Sequence, residues 1–219
     1  MFKPYPAGQH SYAHHRTRLA AMEFQEVVER RRMVRNYEDR PLPPGALDRM
    51  LANAVRAPSA GFSQGWAFLV LEGRQDTERF WEATFAGRSR AGFAWPGLFL
   101  APAIVVALSH KDTYLDRYAE EDKGWSDRDE SRWPVPYWHV DTGFAALLML
   151  LTAVDAGLGA SFFGIFPDQL TAFREAFAVP ADRTPVGAIT VGHPAPDRVS
   201  RSLRRGRRPA ADIVHRGRW

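Results

Sequence analysis

The sequence predicts a mixed α/β or α+β fold in which helices cover a central β-sheet. Four short apolar segments have the length and composition of strands, and segments with helical apolar spacing separate them. A chain of 219 residues without an internal repeat or a linker suits one domain with a sizeable core. We therefore expect a folded domain over 22–219, preceded by a poorly ordered extension over 1–21.

Two helices are predicted first, over 22–33 and 44–56. Apolar residues recur at helical spacing in both segments, and the second carries an apolar stripe formed by Leu47, Met50, Leu51, Ala54 and Val55. Pro44 suits the first turn of this second helix, and Pro58 and Gly61 mark the turn that follows it.

The four strands are predicted at Ala67–Leu71, Ile104–Ser109, Ala160–Ile165 and Val186–Gly192. Each is a short run rich in apolar residues, which is typical of a buried strand. A helix near 74–86 separates the first two strands, so the helices and strands are interspersed along the chain.

Two further helices are predicted in the C-terminal half. Asp141–Ala156 is almost entirely apolar, which predicts a helix that is buried on most sides, and Gly157 ends it. Its longest apolar run, 143–154, is too short to span a membrane, and we expect no membrane association. The next helix begins at Pro167.

Residues 111–137 form a polar, acidic and aromatic segment that we predict to be irregular or partly helical. Long segments of this kind in compact domains are often functional. Its acidic residues are more typical of a solvated face than of a cation site, so we predict no metal site. The absence of cysteine excludes disulfides and thiol catalysis.

The positive charge of the chain is confined to its ends. The formal net charge is +4, but residues 198–219 hold eight arginines against one acidic residue, and residues 1–21 hold three basic residues and no acid. The body between them, 22–197, carries 18 basic and 24 acidic residues. A nucleic-acid footprint would more naturally lie along the folded body, so we expect no nucleic-acid partner. A tight arginine cluster suits a small anion such as phosphate, and a solvated basic tail is the alternative.

Several motifs follow one another in a fixed order along 22–219. They are Arg31–Tyr37 (Arg-Arg-Met-Val-Arg-Asn-Tyr), Pro58–Trp66 (Pro-Ser-Ala-Gly-Phe-Ser-Gln-Gly-Trp), Gly157-Leu158-Gly159 with Phe163-Gly164 on the next strand, Gly192-His193-Pro194, and Arg205-Gly206-Arg207-Arg208-Pro209. Together they resemble the motifs of FMN-dependent nitroreductases. Two positions depart from that pattern, since Met33 replaces the usual serine and Gly65 the usual proline.

The resemblance implies an α+β fold with a mixed, mainly antiparallel sheet flanked by helices. It implies an obligate homodimer with FMN at the interface. We expect a cytoplasmic location, because residues 1–21 lack the apolar core of a secretory signal. The activity it implies passes hydride from NAD(P)H through flavin N5 to a small flat acceptor, such as a nitroaromatic, quinone or enone, in ping-pong fashion. No catalytic side chain is assigned, because the flavin itself carries this chemistry.

The resemblance leaves three other functions open. Enzymes that consume FMN to make dimethylbenzimidazole share the loop motif seen in Pro58–Gln64, and deazaflavin-linked reductases are a second possibility. A flavin or small-ligand binding module without activity is the third.

The arginines of the motifs are implied to bind the cofactor. By resemblance, Arg31, Arg205 and Arg207 hold the FMN phosphate, because arginines from separate segments can fork around its oxygens. Arg35 lies nearer the ring, where a cation stabilises the anionic reduced flavin. Without the resemblance, the arginines at the end of the first helix, Arg30–Arg32, could simply interact favourably with its dipole.

The backbone motifs are implied to contact the ring. Pro58, Ser59 and Ala60 lie against it in the family, often from the partner subunit, and Phe163 and Gly164 offer N–H groups to N5. The other motif positions that we predict to bind the cofactor are Arg32, Met33, Gly61 and Gln64.

The aromatic residues of the 111–139 region suggest a substrate lid. In the family the corresponding region caps the flavin or wraps the partner subunit, and Trp125, Trp133 and Tyr137 could stack flat substrates over the ring. The alternative is that these side chains pack as an arm at a dimer interface.

Overall fold

The computed structural model describes residues 22–219, and the expected extension over 1–21 lies outside the described residues. Six α-helices and four strands occur in this part of the chain. In order they are α1 Phe24–Arg30, α2 Ala46–Ala54, β1 Trp66–Glu72, α3 Arg74–Thr84, β2 Ala103–Ser109, α4 Lys111–Ala119, α5 Tyr137–Asp155, β3 Gly159–Phe163, α6 Leu170–Phe177 and β4 Thr184–Gly192.

The four strands form one antiparallel sheet in the order β1-β2-β4-β3. An isolated parallel bridge between Met33 and Ala160 adds the segment after α1 to the β3 edge. The predicted α+β fold with a mainly antiparallel sheet flanked by helices is therefore confirmed, and all pairs of the four strands are antiparallel. The register brings Phe163 opposite Ala188, in the middle of β4.

Helices cover the sheet on both faces. Every residue of β2 is buried, and alternate side chains point to opposite faces of a strand. On one face, Ala103 and Val105 pack with α2 and α5. On the other, Ile104 and Val106 pack with α3 and α6. The structure thus has an α2/α5 layer and an α3/α6 layer with the sheet between them.

One face of α5 is uncovered in the single chain. The side chains of Phe144 and Leu147 are each 44% exposed, and Phe24 on the neighbouring α1 is 72% exposed. The prediction that this helix is buried on most sides is still confirmed, since Phe144 and Leu147 are the only exposed residues of its 141–156 segment. At 19 residues the helix is also longer than its central apolar run, and by length and composition alone it could cross a membrane, although half of that stretch is buried in the protein.

Several element ends differ from those predicted, for reasons outside local sequence. Helix α1 ends at Arg30 instead of residue 33, because Val34 N–H donates to the Ala160 carbonyl at 2.9 Å and pulls the chain onto the sheet edge. Strand β3 ends at Phe163, so Gly164 lies outside it. Strand β1 is an edge strand of which only Leu71 is buried, contrary to the prediction.

Phe173 tests the α3/α6 layer. It is fully buried on α6 and contacts Phe80 edge-to-face, with ring centroids 6.1 Å apart. We expect Phe173→Ala to lower the free energy of unfolding by about 3–5 kcal/mol, because it opens a cavity in the core. The exposed Glu175→Ala on the same helix should change it by less than about 0.5 kcal/mol. Urea unfolding of both variants measures this, and equal midpoints would contradict the layer assignment.

Candidate functional site

A cavity opens between the α3/α6 layer and the end of β3. It is lined by Arg35, Phe163 and Gly164 among the residues predicted from sequence, and its volume is about 160 Å³. The Phe163 ring stacks on Trp81 with centroids 5.8 Å apart, and the Arg35 guanidinium lies over the Trp95 ring at 5.2 Å. The cavity thus combines flat aromatic walls with one cation.

A buried tyrosine fixes the position of Arg35. The Tyr37 hydroxyl donates to the Val34 carbonyl at 2.7 Å and is hydrogen-bonded with Thr190 Oγ1 at 2.9 Å. Burial raises the pKa of Tyr37 above its usual value, so its hydroxyl stays protonated. A side chain at Gly192 would place its Cβ 2.8 Å from Cδ1 of Tyr37, so glycine is needed there.

The segment before Arg35 lies along the β3 edge. The Met33 sulfur accepts a long hydrogen bond from Phe162 N–H at 3.4 Å, which gives this departure from the motif a contact of its own. Arg31 is half-buried and Arg32 is exposed. No ion pair among residues 22–219 involves Arg31, Arg32 or Arg35.

Four side-chain polar atoms in the described part of the chain are buried without a hydrogen-bond partner. Two are the indole Nε1 atoms of Trp81 and Trp95, which line the cavity, and a third is that of Trp133. The fourth is Oδ1 of Asp197, a residue that does not line the cavity and whose other oxygen accepts from the backbone N–H of Arg35 at 2.9 Å. Unpaired buried polar atoms are uncommon, and a ligand is one explanation for them.

The Pro58–Gln64 loop, which we predict to contact the ring, is tightly folded and does not line the cavity. Residues Ala60–Phe62 form one 3₁₀ turn, and Gly61, Phe62 and Gln64 have positive φ angles of 60°, 58° and 54°. The Ser59 hydroxyl oxygen accepts from Gln64 N–H at 3.0 Å. None of the residues that line the cavity comes from this loop.

Helices α4 and α5 hold the loop from behind. The Asp141 carboxylate accepts from Ala60 N–H, and Arg117 Nε donates to the Gly61 carbonyl at 3.0 Å. A side chain at Gly65 would collide with Tyr114 and approach the His110 carbonyl to 2.8 Å. The proline usual at this position of the motif therefore cannot be accommodated beside Tyr114.

The predicted aromatic lid packs on this loop and not over the cavity. Trp133 lies at its centre, with ring centroids 4.6 Å from Tyr118 and 5.7 Å from Trp125. The Tyr137 ring is 6.0 Å from that of Trp133, and Tyr137 is 42% exposed. A side chain at Gly61 would lie 2.6 Å from the Tyr118 ring, so the aromatic cluster and the loop are in direct contact.

The C-terminal arginines are not brought to Arg31 by contacts within one chain. Arg205 and Arg207 are exposed, as is every residue of 201–219. The hydrogen bonds of this tail among residues 22–219 are internal, such as Arg208 to the Asp212 carbonyl at 2.9 Å. The predicted cofactor residues therefore fall into separate groups at the cavity, the β3 edge, the loop and the tail.

Sequence reasoning missed most of the cavity wall. Phe93, Trp95 and Phe166 line it. The Arg88 guanidinium lies 4.1 Å from the centroid of the Phe166 ring and also donates to the Asp168 carboxylate. Phe93 and Trp95, which adjoin Gly92 and Pro96 before β2, were visible in the sequence as aromatic residues in a turn-rich segment. Their spacing has no periodicity that would indicate a binding site.

Comparison with known proteins identifies the family. The Nitroreductase family model matches residues 28–193, which is more than half of the chain. An NADH dehydrogenase of Thermus thermophilus is 26% identical over 191 residues, covering 81% of this chain and 89% of the relative.

Solved structures share the fold. A nitroreductase family protein of Clostridium difficile 630 has a TM-score of 0.65 at 21% identity, over 90% of this chain and all of that one. A Desulfovibrio desulfuricans protein crystallised in complex with FMN has a TM-score of 0.63 at 23% identity, over 91% of this chain and 99% of that one. The chain therefore belongs to the nitroreductase family of oxidoreductases.

Proposed function

We propose that the protein is an FMN-dependent NAD(P)H oxidoreductase that acts as a homodimer on small flat acceptors such as nitroaromatics, quinones or enones. The observation that carries this proposal is the meeting of Arg35 with Phe163 and Gly164 at one aromatic cavity, in a chain of the nitroreductase family. FMN would supply hydride transfer between NAD(P)H and the acceptor at a single shared site, in ping-pong fashion.

The chemistry of the cavity fits a flavin. An isoalloxazine ring is flat and aromatic, and its pyrimidine edge carries carbonyl acceptors and one N–H donor. The cavity supplies aromatic walls and the Arg35 cation. These groups support binding of such a ring at this place.

The residues of this chain would then have separate roles in binding. Arg35 stabilises negative charge at the pyrimidine edge, and the backbone of Phe163 and Gly164 donates toward the reacting side of the ring. Arg31 holds the phosphate with Arg205 and Arg207, since all three lack a carboxylate partner among residues 22–219. Met33 holds this segment on the β3 edge, and Arg32 adds an exposed cation next to Arg31.

A second copy of the chain would complete the site. The cavity volume of about 160 Å³ is below the roughly 300–1,000 Å³ that is usual for ligand pockets. The loop that carries Pro58, Ser59, Ala60, Gly61 and Gln64 lies outside it. A dimer that buries the open face of α5 would let each loop reach the cavity of the other chain, as the family resemblance implies.

The aromatic cluster would accompany the loop into the partner's site. Trp133 and Trp125 pack around Tyr118, which contacts the loop at Gly61. In the dimer this cluster serves as the acceptor lid, with Tyr137 as its exposed member. The protein acts in the cytoplasm, without a nucleic-acid or membrane partner.

Cofactor content tests the proposal directly. Purified protein incubated with FMN and desalted should be yellow and hold one FMN per chain, and it should oxidise NADH or NADPH when a quinone or nitroaromatic is added. Mass spectrometry after many turnovers should recover intact FMN, whereas its loss would favour the flavin-consuming alternative. A protein that stays colourless and flavin-free would refute the proposal. Binding of a deazaflavin in place of FMN would favour the deazaflavin-linked alternative.

The tail arginine Arg207 tests the phosphate site. We expect Arg207→Ala to weaken FMN binding by about 1.5–3 kcal/mol, because it removes a charge-assisted hydrogen bond. Arg216→Ala, a tail arginine outside the motif, should leave the affinity unchanged. Titrations followed by flavin fluorescence compare the two, and equal affinities would show that the tail is not the phosphate clamp.

The uncovered face of α5 tests the dimer. We expect Leu147→Glu to convert a dimer into monomers, because a carboxylate buried without a partner at an interface costs several kcal/mol. FMN affinity should fall by about tenfold or more in the same variant, since the loop no longer reaches the cavity. The exposed Ala172→Glu on α6 is the control. Sedimentation velocity gives the mass, and a dimeric Leu147→Glu variant would place the interface elsewhere.

A further inference from the structure

Asp141 is a buried carboxylate that the proposed chemistry does not use. Its side chain is on the first turns of α5 and the residue is only 2% exposed. A single oxygen, Oδ2, accepts from Ala60 N–H at 2.8 Å and from the Tyr114 hydroxyl at 2.8 Å. Neither donor is a cation. A buried carboxylate is costly unless it is hydrogen-bonded, so its position is set by these two donors.

Tyr114 is held in the donor state. Burial, reinforced by the hydrogen bond to Asp141, raises the pKa of Tyr114 above its usual value. The phenol therefore stays protonated at neutral pH and donates to the carboxylate. Tyr114 also packs against Trp133, with ring centroids 6.0 Å apart. Asp141 is thus joined through Tyr114 to the aromatic cluster, and through Ala60 to the loop.

The loop needs such an anchor because its backbone is strained. Phe62 and Gln64 have φ angles of 58° and 54°, in the left-handed region that non-glycine residues seldom adopt. Conformations of this kind persist only where surrounding contacts over-determine them. Within the loop, Ser63 closes on the Ala60 carbonyl at 2.6 Å. The link from Ala60 to α5, which spans 81 residues of sequence, is the one that fixes the loop to the central helix.

The same link fixes which surface the loop presents. Ala60 N–H points inward to Asp141, and the Ser59 carbonyl of that peptide accepts from Phe62 N–H at 3.0 Å. Both polar groups of the peptide are therefore used internally. Pro58, Phe62 and Gln64 face outward and are exposed.

We propose that Asp141 is the positioning residue of the cofactor loop, and that it sets this loop and the aromatic lid as one rigid unit. The role rests on the proposed function, since the loop contacts flavin only if the protein binds flavin. Asp141 itself touches neither cofactor nor substrate. It acts by holding Ala60 and Tyr114, whose neighbours form the loop and the lid.

Paired substitutions separate this role from general stability. Asp141→Leu removes the acceptor with little change in volume, whereas Asp141→Asn keeps a carbonyl oxygen that can accept from Ala60. Asp155→Leu, at the other end of α5, is the control, because it removes a carboxylate whose partners, Arg49 and Met22 N–H, lie outside the loop. Circular dichroism first establishes that each variant is folded, and Asp141→Ser replaces the leucine variant if that one is not.

Two measurements are made on each variant, namely amide hydrogen exchange at Ala60 in the flavin-free protein and the Kd for FMN. We expect Asp141→Leu to raise the exchange rate and the Kd by about tenfold or more each, as for a buried donor left unpaired. Asp141→Asn should stay within about threefold of the original protein, and Asp155→Leu should not differ from it.

The outcomes distinguish the two proposals. Failure of the original protein to bind FMN overturns the proposed function, and the cofactor role of Asp141 with it. Normal FMN binding that Asp141→Leu leaves unchanged overturns only the role of Asp141, as does an unchanged exchange rate at Ala60. Equal losses in the Asp155→Leu control would assign the effect to α5 stability and overturn positioning as well.

Discussion

The burial of the sheet on both faces is the constraint from which the rest of the architecture follows. Because all of β2 is buried, the chain must supply apolar helices on either side, and it does so with α2 and α5 on one face and α3 and α6 on the other. The cavity with Phe163 forms in the α3/α6 layer, whereas the Pro58–Gln64 loop follows α2 and is bonded to α5. One chain therefore carries the two parts of the proposed flavin site in different layers, and the proposed dimer would bring the loop of one copy to the cavity of the other.

An element could be predicted from sequence where local residues determine its position, and could not where a contact with a distant segment determines it. The apolar stripe of α2 and the apolar run of β2 are local patterns, and both elements lie where the sequence predicts them. The end of α1 and the start of α5 depend on a sheet bridge at Met33 and on the aromatic segment, which no local pattern reveals. The antiparallel order of the strands followed from the family resemblance, because alternation and length do not determine strand direction.

The site divides in the same way. The motif Arg31–Tyr37 was recognised by its resemblance to the family. The structure gives its aromatic residue a physical role, since Tyr37 is buried and its hydroxyl donates to the Val34 carbonyl. Trp95 and Phe166 could not be recognised, since they converge on the cavity from separate loops that share no spacing. The role of Asp141 was equally hidden. In sequence it stands two residues from His139, where a helix does not bring side chains together, and its partner Ala60 lies 81 residues away.

Each of the two departures from the family motifs has a packing partner of its own. Gly65 gives room to Tyr114, and Tyr114 in turn donates to the carboxylate that holds Ala60, so the replaced proline and the anchored loop depend on the same ring. Met33 places its sulfur against Phe162 N–H, directly before the Phe163 and Gly164 backbone that faces the cavity. Both departures thus alter the support behind the proposed flavin contacts and leave the arginines and the loop residues themselves in place. Through Tyr114, the first of these supports also contacts the aromatic cluster around Trp133, which is the lid of the proposed dimer.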